Sequence, residues 1–103
     1  MKNVNQLLLI TGLLCLFQQL QAFTWQVSKQ GSLVSIQLAI RQAKANDTIV
    51  VESGLYLEKN MVIDKPLVLI GKNKPVLDGE ELYEIISIRS NGVVIDGFQL
   101  VRS

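Results

Sequence analysis

Carboxylates are the most plentiful side chains in this sequence that could carry acid–base chemistry. They are Asp47, Asp64, Asp78, Asp96, Glu52, Glu58, Glu80, Glu81 and Glu84. A pair of them on one face could serve as general acid and base, or hold calcium through oxygen. His is absent, Cys15 is the single cysteine, and Met61 is the one methionine besides Met1. Most of the soft or imidazole ligands that copper and zinc prefer are therefore missing, as is the side chain that titrates near neutrality. Asp78 and Asp96 each precede Gly, where an Asp side chain usually bonds its own turn. Glu80, Glu81 and Glu84 form a loose acidic patch expected on a solvated turn. Arg89 and Arg102 are candidates for an outer-face base only by default. Trp25 and Tyr56 could stack on a sugar, although aromatics here are expected to seal a helix against a sheet. Met61 sits in an apolar run and is expected in the core. Asn46-Asp47-Thr48 fits a glycosylation acceptor and is expected to act as a turn. No phosphate loop, nucleophile triad or metal pair is visible, so no catalytic, cofactor-binding or metal-ligating residue is assigned.

The elements that would position these groups follow from periodicity. Ile36, Ala39, Ile40 and Ala43 recur at helical spacing within Ser32 to Ala45, opposite the polar Gln37, Arg41, Gln42 and Lys44. Ser32 is expected to cap this helix and Asn46 to stop it. From Asp47 onward the pattern changes to short apolar runs cut by turn residues. Strands are expected at Thr48–Glu52, Met61–Ile63, Leu67–Ile70, Val76–Leu77, Ile85–Arg89 and Val93–Ile95. Pro66 stands at the entrance of a strand, where its missing N–H does least harm.

Spacing decides how these strands assemble. Val51 and Val76, Gly54 and Gly79, and Ile63 and Ile88 all share one interval. Leu67 and Val93, Leu69 and Ile95, and Gly71 and Gly97 share an interval longer by a single position. The extra residue falls where Asp64-Lys65-Pro66 becomes Arg89-Ser90-Asn91-Gly92. A recurrence of about 25 residues is the signature of a solenoid, with Ile63 under Ile88 and Leu69 under Ile95. An antiparallel sheet is the alternative, since Ser90-Asn91-Gly92 and Asp78-Gly79 are hairpin signals. It does not account for the matched positions. The expected class is therefore all-β, a right-handed parallel β-helix of about two coils, capped at its start by the amphipathic helix. An open first coil would expose backbone and apolar side chains that such a helix can cover.

Residues 1–22 follow a different logic. Lys2, the apolar run from Leu7 to Phe17 and the polar stretch from Gln18 to Ala22 make the charged, apolar, small-residue order of a secretory leader, with cleavage expected after Ala22. The run is shorter than the roughly 20 apolar residues a membrane span needs. Leu13 and Leu14 before Cys15 argue against lipidation. The remaining chain, 23–103, has nine acidic residues and, without Lys2, nine basic ones. This mixed, neutral balance argues against nucleic acid as a partner, and no span is expected in the mature chain. It reads as the amino-terminal cap and first coils of one β-helix domain, expected to be a piece of a longer protein whose further coils would stack on it, or a truncated reading frame.

Read together, "SIQLAI" at Ser35–Ile40, "NDTIVVESGLYLE" at Asn46–Glu58, "VIDKPLVLIG" at Val62–Gly71, "PVLDG" at Pro75–Gly79 and "GVVIDGF" at Gly92–Phe98 resemble the amino-terminal region of the NosD family. The usual Gly-Asp-Thr turn after the helix appears here as Asn46-Asp47-Thr48. The resemblance implies a pectin lyase-like parallel β-helix and a periplasmic location. It also implies a non-enzymatic accessory role in copper-centre maturation of nitrous oxide reductase, with that reductase and components of an ABC transporter as partners. No copper ligand is carried over onto these residues. The wider group includes carbohydrate-binding and sugar-hydrolase relatives, which makes a carbohydrate-active protein the alternative. A lyase of that group would need outer-face carboxylates, calcium and a basic proton acceptor.

Overall fold

Parallel pairing organises every strand. The computed structural model describes residues 21–103; the leader assigned to residues 1–22 lies, up to residue 20, outside the described residues. The elements in chain order are β1 (Thr24–Val27), α1 (Ile36–Gln42), β2 (Thr48–Val51), β3 (Leu55–Tyr56), β4 (Met61–Ile63), β5 (Val68–Gly71), β6 (Val76–Asp78), β7 (Ile86–Ile88), β8 (Val94–Asp96) and β9 (Gln99–Val101). They form three parallel sheets, β1-β2-β5-β8, β3-β6-β9 and β4-β7. The chain thus winds as a β-solenoid of roughly three turns.

The side chains that point inward stack in ladders. Trp25, Ile49, Leu69 and Ile95 lie in one register, as do Tyr56, Leu77 and Leu100. Met61 pairs with Ile86 and Ile63 with Ile88. Ile49, Leu69 and Leu77 on middle strands, and Tyr56, Met61 and Ile63 on the strands nearest the capped end, are fully buried, whereas Ile88 and Leu100 are more than half exposed at the last turn. Burial thus depends on having a neighbour both above and below, as one-dimensional stacking requires. Leu69 is held between Ile49 and Ile95. Leu69→Ala should therefore cost about 2–5 kcal/mol, since a packed rung has little room to collapse into the cavity. Urea unfolding of the variant checks this.

The ladders Ile63–Ile88 and Leu69–Ile95 are those read from spacing, and the single-residue lengthening before β8 is where the sequence placed it. Val51–Val76 and Gly54–Gly79 do not stack. Val51 pairs with Gly71, and Val76 with Leu55. The coil beginning at Thr48 already closes on Val68, whereas the next runs further, from Val68 to Val94. Most of the difference lies in the corner between β6 and β7, where Glu80 and Glu81 adopt positive φ. Three strands escaped the sequence reading. β1 buries one residue of four, β3 has two residues, and β9 buries none, so none carries a legible alternation.

The helix is shorter than its pattern. Ser35, not Ser32, caps it: its backbone is extended and its Oγ accepts from Leu38 N at 3.1 Å. Ser32 belongs to the loop closed by Ser28 N donating to Leu33 O. At the other end Ala43 is already extended. Asn46 does take the left-handed conformation (φ 73°), but in the turn to β2 rather than at the helix stop. Ile36, Ala39, Ile40 and Ala43 are buried, as their spacing requires. α1 packs against β1, β2 and β4, occupying the space a preceding turn of the solenoid would have filled.

Candidate functional site

The capped end gathers the charged and aromatic residues that long-range contacts fix in place. Glu58, in the corner between β3 and β4, reaches back to the start of α1. Its carboxylate accepts from Ser35 Oγ (2.7 Å), Ile36 N (2.7 Å) and Gln37 N (3.0 Å). At the other end Lys65 Nζ donates to Ala43 O at 2.6 Å. An anion at the amino end and a cation at the carboxyl end both complement the helix dipole. Gln37 Oε1 accepts from Val62 N at 3.3 Å, so a helix side chain takes the place of a neighbouring strand at β4. Glu58→Ala strands two backbone donors and a hydroxyl. We expect a loss of about 1–3 kcal/mol, partly restored in Glu58→Gln, read by chemical denaturation.

Asp47 is the hub of this end. It is buried, and its carboxylate accepts from Phe23 N (2.8 Å), Lys44 N (2.9 Å) and Trp25 Nε1 (3.1 Å). Burial resists its ionisation. The N–H bonds from Phe23 and Lys44, the indole bond and the Lys44 charge outweigh that and hold its carboxyl below the usual range. Asp78 has a second anchor: Arg102 donates through Nε (3.0 Å) and Nη2 (2.5 Å), and Glu80 N closes the turn at 2.8 Å. The Arg102 guanidinium first, and the Glu80 N–H second, lower its pKa. Both folded pKa values are depressed, so the stability these groups contribute is present above the unfolded Asp value of about 3.9 and is lost as pH falls through the folded values. Thermal midpoints should therefore hold from neutrality to about pH 5 and fall steeply below it, less so in Asp78→Asn.

Phe23, Thr24, Trp25, Gln26, Leu33, Leu38 and Gln42 line an open groove of about 540 Å³ beside the cap. The Phe23 and Trp25 rings meet edge to face, with centroids 4.8 Å apart. The indole bond to Asp47 fixes the Trp25 ring, leaving amide side chains of Gln26 and Gln42 in the same groove.

The sequence candidates fall as follows. Met61 is fully buried in its rung. Tyr56 is fully buried, donates to Glu52 O at 2.9 Å and carries Lys29 over its ring at 4.4 Å, which is a packing role. Trp25 both packs on the cap and lines the groove. Asp78 bonds its turn as expected and also commits Arg102, whose pKa is raised by that pair, so Arg102 has no tendency to act as a base. Glu80 is paired with Lys59, separating it from the exposed Glu81 and Glu84. Asp64 and Arg89 are exposed at the same corner on successive turns, after β4 and β7, and Asp96 is exposed at the end of β8. Asp47 and Glu58 are the residues whose importance the sequence did not reveal. Apart from Lys44, their partners lie 21–24 residues away, beyond any local motif. Among the described residues no group of three or more His, Cys, Asp or Glu is placed to hold a metal, and no helix is long and apolar enough to cross a membrane. Comparison with family models, with curated proteins and with solved structures finds no match.

Proposed function

We propose that this chain is the capped opening of an exported, non-enzymatic β-helix protein of the NosD kind, assisting copper-centre maturation of nitrous oxide reductase in the periplasm beside an ABC-type transporter. The observation that supports this most is positional. The segments carrying the resemblance fall, in order, on the start of α1, on the Asp47 turn with β2 and β3, on β4 and β5, on β6 and on β8. They supply the cap, the corners and the stacked rungs of a single winding. Of the charged residues they contain, Asp47, Glu58 and Asp78 are engaged in holding that winding together, while Asp64 and Asp96 stay exposed. A scaffold whose best-anchored carboxylates are spent on its own architecture suits a platform for partner proteins better than a hydrolytic centre. A strain lacking the gene should make nitrous oxide reductase deficient in copper. Full copper loading in that strain would remove this role.

A carbohydrate-binding reading is favoured by one specific observation, the groove in which Trp25 is held rigid beside Phe23, Gln26 and Gln42. An aromatic face flanked by amides can stack on a sugar ring and bond its hydroxyls. Trp25 is the sole tryptophan, so its fluorescence reports directly on that groove. Titration with neutral and acidic oligosaccharides should shift its emission if the groove takes sugar, and leave it unchanged if it does not.

A further inference from the structure

Asp47 is a buried carboxylate whose three partners are N–H dipoles, and among the described residues no Lys or Arg nitrogen forms an ion pair with it. Lys44, on the adjoining turn, is the charged group that acts on it, from a distance. A buried charge without a contacting counter-charge is costly. One of the three donors is the backbone nitrogen of Phe23, the first residue after the expected cleavage point. The position of Phe23 is fixed from both sides, since its N donates to Asp47 Oδ1 at 2.8 Å and its carbonyl accepts from Thr48 N at 3.0 Å.

We propose that leader removal at Ala22–Phe23 converts this hydrogen bond into an ion pair between the new α-ammonium of Phe23 and Asp47, locking β1 onto β2 only in the exported protein. The proposal rests on the secretory reading of residues 1–22. Hydrolysis of the Ala22–Phe23 bond by a leader peptidase takes up one water and leaves a carboxylate on Ala22. The proton that the new acid releases goes to the amine left on Phe23, so carboxylate and ammonium form with no net exchange of protons at neutral pH. That ammonium keeps a donor where the amide N–H already lies and adds the positive charge the carboxylate lacks. The uncleaved precursor makes only the neutral bond, so the edge strand of the capped end is held less firmly before export than after it. Cleavage one residue to either side would place the charge away from Asp47, so only a cut at this bond supplies the counter-charge.

An ammonium paired with Asp47 has a raised folded pKa, so its contribution is complete below the unfolded α-amine value of about 7.7–8.0 and disappears as pH rises through the folded value. The test uses the full chain, expressed with its leader in an export-competent bacterium. Intact mass and amino-terminal sequencing of the exported product should give Phe23 as the first residue. Reductive ¹³C-dimethylation of that amine keeps its charge and one N–H, and its carbon resonance can then be followed against pH. In the native protein it should titrate at least about one unit above the 7.7–8.0 range, and in concentrated urea within that range. Asp47→Asn should return the native value to the urea value. Should that variant fail to fold, the comparison of native with urea-treated wild type stands on its own. A product beginning at another residue would refute the cleavage reading and the ion pair with it. A product beginning at Phe23 whose amine titrates identically in native and unfolded states would refute the ion pair alone.

Discussion

Gly97→Ala should abolish most of the folded population, with a loss above about 3 kcal/mol. Gly97 lies at φ +86°, a region where a side chain costs about 1–3 kcal/mol by itself. A Cβ there would also run into the carbonyl of Gly71 on the turn below. The reverse substitution meets the same wall: a Cβ on Gly71 would stand 2.5 Å from Gly97 O and 2.8 Å from Pro75 Cδ. Two backbones pass each other at this corner with no room for a methyl group, and neither can retreat without pulling β5 or β8 out of register. Gly31 provides the control. A Cβ there meets only Ser28, at 3.4 Å, so Gly31→Ala should be neutral or slightly stabilising through the unfolded chain. Urea midpoints of the three variants, or their soluble yields, measure the contrast.

Asp47→Ala should be the most damaging change at the capped end, by about 3 kcal/mol or more. It leaves Phe23 N, Lys44 N and Trp25 Nε1 without an acceptor at a part-buried site, and each abandoned donor costs about 1–3 kcal/mol unless water or relaxation replaces the lost bond. Relaxation would release β1 and free the indole, so the emission of Trp25 should move to the red well before global unfolding. Asp47→Asn keeps one acceptor oxygen but turns an N–H toward the donors, and should fall between the two. A Trp25 spectrum unaltered in Asp47→Ala would show that the hub does not hold the edge strand.

The winding was legible in the sequence and the anchoring was not, for a physical reason that particular residues make clear. Stacking repeats a residue type at nearly fixed intervals, so Ile63 with Ile88, Leu69 with Ile95 and Gly71 with Gly97 can be paired from spacing alone. Spacing misled where a corner changed length. Val51 and Val76 match in type and interval, yet the short first coil carries Val51 over to Gly71. The helix face was legible from Ile36, Ala39 and Ile40, while its first residue was not: Ser32 and Ser35 look alike until Glu58 arrives from the first coil to bond Ser35 and the two N–H groups after it. Asp47 reads as a turn residue because it is one, its N donating to Lys44 O at 3.0 Å. Its second task, gathering Phe23 and Trp25 from a strand with almost no pattern, depends on contacts made only in the folded coil.

Backbone NMR of the central rung puts the whole scheme at risk in one spectrum. With Leu69 flanked by Ile49 and Ile95 on strands pointing the same way, the amide protons of β5 should show exchange-protected cross-peaks to β2 and β8 in the evenly spaced, slanted pattern of parallel pairing. Close Hα–Hα cross-peaks between Leu69 and Ile95, which only strands of opposite direction bring together, would contradict it.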